Sequence, residues 1–195
     1  LWCRDLLELR FSQPAAHFAW VSAVHLVGNP NRVACPATGD PAGPEVHMLA
    51  LRAVAHLASM LLGAGLKKGD RVCWIGKNSD IYFTLFYGAA RAGIVMAPIG
   101  WRLAAPEWAY IVNDTQSKIV FTGPGFESAE EALKPYLTNN PRFIGEQEAR
   151  KLVETTERVD FTAAGPDDAV LQLYTSGTTG NPKGVELSNR NLFAL

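Results

Sequence analysis

The sequence predicts an α/β fold, a mostly parallel sheet flanked by helices on both faces. Three observations carry that expectation. Short apolar runs (Arg71 to Ile75, Ile94 to Pro98, Ile119 to Phe121) are too brief for helices and are bounded by turn residues. They alternate with helix-compatible stretches of about twelve residues, as crossover connections between parallel strands require. The runs are also continuously apolar, as strands covered on both faces are.

The elements follow in order. From Gly28 to Pro44, Pro, Gly and Asn surround one short apolar piece, Arg32 to Cys35, which reads as loop with at most one short strand. A helix is expected from about Val46 to Leu62, ended by Gly63 and Gly65. On it Arg52, His56 and Ser59 form a stripe opposite Leu49, Ala53, Leu57 and Met60, so His56 is expected to face solvent. Gly69-Asp70 makes a turn into the strand from Arg71 to Ile75. Asn78-Ser79-Asp80 caps a helix carrying Ile81, Leu85, Phe86 and Ala89 and ending near Gly93. After the strand from Ile94 to Pro98, Pro106-Glu107 opens a third helix, with proline where its missing N–H does no harm. Ile119 to Phe121 is the third strand, and Ser128 and Glu131 have capping-box spacing before an acidic helix. From Arg142 to Phe161 the pattern sets no boundaries. Ala169 to Tyr174 is again strand-like, and a helix is expected to begin near Ser188.

Composition narrows the function classes. At 195 residues the chain can bury one substantial core, and it shows no internal repeat. A net charge of −1 offers no electrostatic footprint for nucleic acid or an anionic membrane. The basic doublet Lys67-Lys68 reads as solvated loop. Cys3, Cys35 and Cys73 have neither metal-site nor CxxC spacing, which fits a reduced, cytoplasmic setting, with Cys73 a small core residue. The histidines show no ligand spacing. Asn113-Asp114-Thr115 matches a glycosylation sequon, a cheap match that a cytoplasmic protein would not use. No transmembrane helix is expected, which leaves peripheral membrane contact open. The sequence opens on Leu1 rather than Met, leaving room for an earlier targeting segment.

The chemistry concentrates in Thr175 to Gly184, ten residues with four hydroxyls, three glycines and one lysine. A polyanion such as a triphosphate needs converging donors and no side-chain bulk over the backbone. Gly177, Gly180 and Gly184 let the main chain turn sharply and aim N–H groups into one concavity. Thr175, Ser176, Thr178 and Thr179 add hydroxyl donors, and Lys183 adds a compact cation on a long arm. The order is not that of a Walker A loop, because Gly180 comes too early and Lys183 is followed by Gly184. With the next helix several residues away, a helix dipole should contribute little.

Tyr174-Thr-Ser-Gly-Thr-Thr-Gly-Asn-Pro-Lys-Gly184 resembles the AMP-binding signature of the adenylate-forming superfamily over eleven consecutive positions. That superfamily includes acyl-CoA synthetases, luciferases and peptide-synthetase adenylation domains. Asp5-Leu6-Leu7, Gly65 to Val72, Asn78-Ser79, Ala92 to Pro98, Arg102-Leu103 with Pro106-Glu107, and Asn113-Asp114-Thr115 resemble further family elements, most like those of fatty-acid–CoA ligases. The likeness is weak at residues 12–45 and 124–165. Two departures stand out: Asn189-Arg190-Asn191 where the family usually has His-Arg-Asn, and Val46-His47 where it has Thr-Tyr. Asparagine hydrogen-bonds but carries no charge as imidazole can.

The resemblance implies that a carboxylate, that of a fatty acid foremost, attacks the α-phosphorus of ATP to give an acyl-adenylate, which the thiol of CoA then takes. It implies that Thr175, Ser176, Gly177, Thr178, Thr179, Gly180 and Lys183 hold the β- and γ-phosphates, with no catalytic nucleophile or base and no metal ligand in the chain. Residues 1–195 would be an incomplete N-terminal AMP-binding domain. The Mg2+ ligands, the adenosine-binding groups and a small lysine-bearing domain would lie beyond Leu195, so the chain alone is not expected to complete adenylation. The oligomeric state is not readable. Two other readings compete: an adenylation domain that loads a carrier protein, marked by a carrier domain downstream, and a non-catalytic derivative of the family, marked by a loop indifferent to nucleotide.

Overall fold

The computed structural model of the chain describes residues 44–175 and 181–193. The expected opening helix at Asp5-Leu6-Leu7, the short strand at Arg32 to Cys35, and Cys3 lie outside the described residues. The elements are α1 (Pro44–Gly63), β1 (Arg71–Ile75), α2 (Asp80–Ala92), β2 (Val95–Ile99), α3 (Ala105–Thr115), β3 (Ile119–Thr122) and α4 (Ala129–Leu133) with a 3-10 turn (Lys134–Tyr136). They continue with β4 (Arg142–Gly145), α5 (Glu146–Thr155), β5 (Ala169–Thr175), β6 (Lys183–Ser188) and α6 (Asn189–Phe193).

The six strands form one sheet in the order β4-β3-β1-β2-β5-β6. β1 to β5 are parallel neighbours, and β6 runs antiparallel to β5. β1 lies at the centre, with Cys73 level with Ala97 on one side and Val120 on the other. Successive side chains point to opposite faces, and each face has its own core. Val72, Trp74, Met96, Phe121 and Ile144 pack with Leu57, Leu61, Ile81, Leu85 and Val153, which places α1, α2 and α5 on one face. Cys73, Ile75, Ala97, Ile99 and Val120 pack with Ala109, Ile111, Val112 and Leu133, which places α3 and α4 on the other. This is the fold the sequence predicts, and it explains why Val72 to Ile75, Val95 to Ile99 and Ile119 to Phe121 are continuously apolar.

Local signals hold at several ends. The Ser79 hydroxyl accepts the Tyr82 N–H at 3.3 Å, and α2 closes on Gly93 in the left-handed region at φ 71. At α3 the Glu107 carboxylate reaches back to the Ala104 N–H at 2.8 Å. Cys73 is fully buried, 3.0 Å from the Ser117 hydroxyl, and burial pushes its thiol up to about 11.

Other expectations need correcting. His56 does not face solvent: its Nδ1 lies 3.1 Å from the Val153 carbonyl, part-buried under α5. Ser59 on the same stripe is buried, its hydroxyl donating to the Ala55 carbonyl and accepting the Val159 N–H. A polar stripe can be covered when each of its groups finds a partner. Ser128 precedes α4 but makes no side-chain capping bond, and Glu127 instead takes the Gly125 N–H at 2.9 Å. Residues 142–155, left without boundaries by the pattern, form β4 and α5. Arg150 of α5 holds the Asp80 carboxylate by two hydrogen bonds of 2.9 and 2.6 Å, tying α5 to the start of α2. Its guanidinium keeps the Asp80 carboxyl below the usual carboxylate range.

α1 and α2 touch through Gly88, where a Cβ would stand 2.8 Å from the Leu57 Cβ. Alanine gains about 1 kcal/mol of helix propensity over glycine, but forcing two helices apart in a packed core costs about 1–3 kcal/mol. Gly88→Ala should therefore lower the urea midpoint despite the better helix former, and a raised midpoint would show that the two helices have room to separate.

Candidate functional site

Because five strands run the same way, the loops leaving their carboxyl ends gather along one edge of the sheet, where such sheets bind ligands. Lys77 follows β1, and Trp101 and Arg102 follow β2. The two cations lie over the Trp101 ring, 5.3 and 4.1 Å from its centroid respectively. Next along this edge β5 ends at Thr175.

Of the expected phosphate-binding residues, Thr175 and Lys183 are described. Ser176, Gly177, Thr178, Thr179 and Gly180 lie outside the described residues. Thr175 and Lys183 stand opposite each other as the outermost pair of the β5–β6 ladder, with the Thr175 hydroxyl 3.5 Å from the Lys183 carbonyl, a weak contact. The glycine-rich segment is thus the connection of an antiparallel hairpin. The sequence reading missed β6, placing only loop between Lys183 and the next helix; α6 begins at Asn189. Both Thr175 and Lys183 are exposed, and Lys183 has no carboxylate partner among the described residues.

Alongside the β5–β6 ladder runs a line of polar side chains on the α3 face of the sheet. The Arg71 Nε donates to Gln172 Oε1 at 3.0 Å, and Gln172 Nε2 donates to the Tyr174 hydroxyl at 3.0 Å. The Tyr174 hydroxyl donates to the Asp114 carboxylate, and Arg71 also pairs with Glu186 of β6. Burial, and then the bond to Asp114, push the Tyr174 phenol up, so it remains a donor at any ordinary pH. Gly184, opposite Tyr174, leaves room for this line: a Cβ there would stand 3.1 Å from both Gln172 Cδ and Tyr174 Cζ. Also from α3, the Tyr110 hydroxyl donates to the Pro182 carbonyl at 3.2 Å.

Tyr110, Asp114, Gln172, Arg71 and Glu186 are the residues of this site that sequence reasoning did not single out. One signal was available: Gln172 interrupts an apolar strand, and a polar side chain at a buried position demands partners. Asn189, where the resemblance leads one to expect histidine, is buried, with its amide donating to the Gly165 carbonyl at 3.0 Å and its Oδ1 without a partner among the described residues. Among the described residues no group of three or more His, Cys, Asp and Glu side chains could hold a metal ion, and no helix is long and apolar enough to cross a membrane.

Comparison with known proteins gives a consistent picture. The family profile described as AMP-binding enzyme matches residues 50–195. The fatty acid–[acyl-carrier-protein] ligase ScoC of Streptomyces coeruleorubidus is 38% identical over 144 residues, covering 72% of this chain and 27% of that protein. The long-chain-fatty-acid–CoA ligase FadD13 of Mycobacterium tuberculosis is 39% identical over 132 residues, covering 66% of this chain and 26% of that protein. A solved fatty acyl CoA synthetase of Mycobacterium tuberculosis superposes with a TM-score of 0.66 at 27% identity, covering 88% of this chain and 34% of that one. The chain thus spans about a quarter of the length of the curated relatives it matches.

Gly184→Ala should displace Gln172 from its bonds to Arg71 and Tyr174 and cost about 1–3 kcal/mol in a urea titration, the worth of two net hydrogen bonds. An unchanged midpoint would mean that the line of polar groups does not hold the hairpin.

Proposed function

The chain belongs to the AMP-binding enzyme family, and from that premise we propose that the intact protein activates a carboxylic acid, a fatty acid foremost, with ATP and passes the acyl group to CoA. A carboxylate oxygen attacks the α-phosphorus, the bond from that phosphorus to the bridging oxygen breaks, and pyrophosphate leaves with the electron pair. The CoA sulfur then attacks the acyl carbonyl carbon and AMP departs. In these steps residues 1–195 supply the grip on the leaving group. Thr175, Ser176, Gly177, Thr178, Thr179, Gly180 and Lys183 hold the β- and γ-phosphates and stabilise the charge that develops as pyrophosphate separates.

The observation that carries this reading is the placing of Thr175 and Lys183. They are the two feet of a hairpin connection, exposed at the carboxyl edge of a parallel sheet, and no carboxylate among the described residues pairs with the lysine. On this reading the Mg2+ ligands, the adenosine-binding groups and a small lysine-bearing domain are supplied by the remainder of the protein. The fatty acid as substrate is supported by the likeness to ScoC and FadD13. ScoC, a carrier-protein ligase, also favours a second reading in which the acceptor thiol sits on a carrier protein.

ATP–pyrophosphate exchange by the full-length protein against a panel of carboxylic acids tests the first half-reaction. Lys183→Ala should weaken exchange by about 2–4 kcal/mol of transition-state stabilisation, the loss of one preorganised charged donor. An undiminished rate would remove Lys183 from the role. Offering CoA and a phosphopantetheine-bearing carrier protein in parallel separates the two acceptors.

A further inference from the structure

We propose that α3 is the base on which both ends of the phosphate-gripping connection are set, with Asp114 and Tyr110 as positioning residues for the adenylation step; this rests on the function proposed above. The two residues are four apart on one helix and so lie on one face. Asp114 accepts from Tyr174, the residue before Thr175, and Tyr110 donates to Pro182, the residue before Lys183. One rigid element therefore grips the chain just ahead of each of the two ladder-closing residues.

α3 is itself pinned along its length. The Trp108 indole N–H donates to the Gly100 carbonyl at 2.9 Å, at the end of β2. Asn113 binds the Tyr136 carbonyl and the Thr138 N–H, each at 2.9 Å. Thr115 meets Ser117 at 2.8 Å, and Ser117 meets Cys73 of β1 at 3.0 Å. The hydrogen bonds from Arg71 through Gln172 and Tyr174 all point the same way, from a guanidinium to a carboxylate, an arrangement in which each bond polarises the next. Donors help a leaving group only if they are already in place when charge develops. A connection with loose ends would have to be ordered at that moment, and misplacement by about 1 Å can cost on the order of a hundredfold in rate.

The experiment compares Asp114→Ala, Asp114→Asn, Tyr110→Phe, Tyr174→Phe and Lys183→Ala in the full-length protein, by exchange kinetics and thermal melting. Asp114→Ala should lower kcat about tenfold with KM for the carboxylic acid unmoved. Asp114→Asn, whose amide oxygen still accepts from Tyr174, should restore most of the loss. Combining Asp114→Ala with Tyr174→Phe should cost no more than the larger single effect, because the carboxylate acts through the phenol. Tyr110→Phe should lower kcat independently. If the folded alanine and phenylalanine variants exchange at the parental kcat, even with lowered melting points, the bonds are merely structural and the proposal falls. Should Asp114→Ala not fold, Tyr110→Phe and Tyr174→Phe carry the same test. Loss of exchange in Lys183→Ala alone would overturn the positioning role and leave the function standing; indifference of Lys183→Ala as well would overturn the role of Lys183 too, and only a parental protein that exchanges with no carboxylic acid would overturn the function.

Discussion

The hydrogen bonds from Arg71 through Gln172 and Tyr174 to Asp114 fasten an antiparallel hairpin to a sheet that is otherwise parallel. β1 matches β2 across all five residues from Arg71 to Ile75, whereas β2 and β5 are registered through Met96 and Leu171. The side chains of β5 make up for that shorter ladder. Gln172 and Tyr174 turn toward α3 and bind across to β1 and to the helix, so the hairpin is located by polar contacts rather than by strand pairing alone. Every feature of the phosphate-binding reading depends on this attachment, because it decides where Thr175 and Lys183 stand.

Charge is divided between the two edges of the sheet. Near the amino ends of the strands, cations are paired: Lys68 with Asp168, Lys118 with Asp70, Arg71 with Glu186 and Arg190 with Asp167. Such exposed pairs contribute little stability each, but they cancel local charge. At the carboxyl edge Arg150 is taken up by Asp80 and Glu146, while Lys77, Arg102 and Lys183 have no carboxylate partner among the described residues. Those three are the cations that an anion reaching this edge could meet by direct contact.

Much of this was legible in the sequence where local chemistry and tertiary context agree. The strand at Arg71 to Ile75 has the expected bounds, the next is displaced by one residue, and α2 is capped by the Ser79 hydroxyl and ended by Gly93 at positive φ. Reading failed where tertiary partners decided the outcome. His56 and Ser59 look like a solvent stripe until α5 and the chain after it cover them. Glu146–Thr155 buries only Ala149 and Val153, too thin an apolar face to announce a helix whose place is fixed by Arg150 and Asp80. β6 is hydrophilic and exposed over Lys183 to Glu186, and exists because β5 offers it a free edge. At the candidate site the run proposed to hold phosphate was readable, but Tyr110 and Asp114 were not, since their meaning lies in which residues they meet some sixty to seventy positions away.

The most direct test of the central claim is a crystal structure of the full-length protein with bound ATP. The account requires the triphosphate to lie over the β5–β6 connection with the Lys183 ammonium within about 3.2 Å of a β- or γ-phosphate oxygen, the reach of a charge-assisted hydrogen bond. A triphosphate bound elsewhere, with Lys183 directed into solvent, would contradict it.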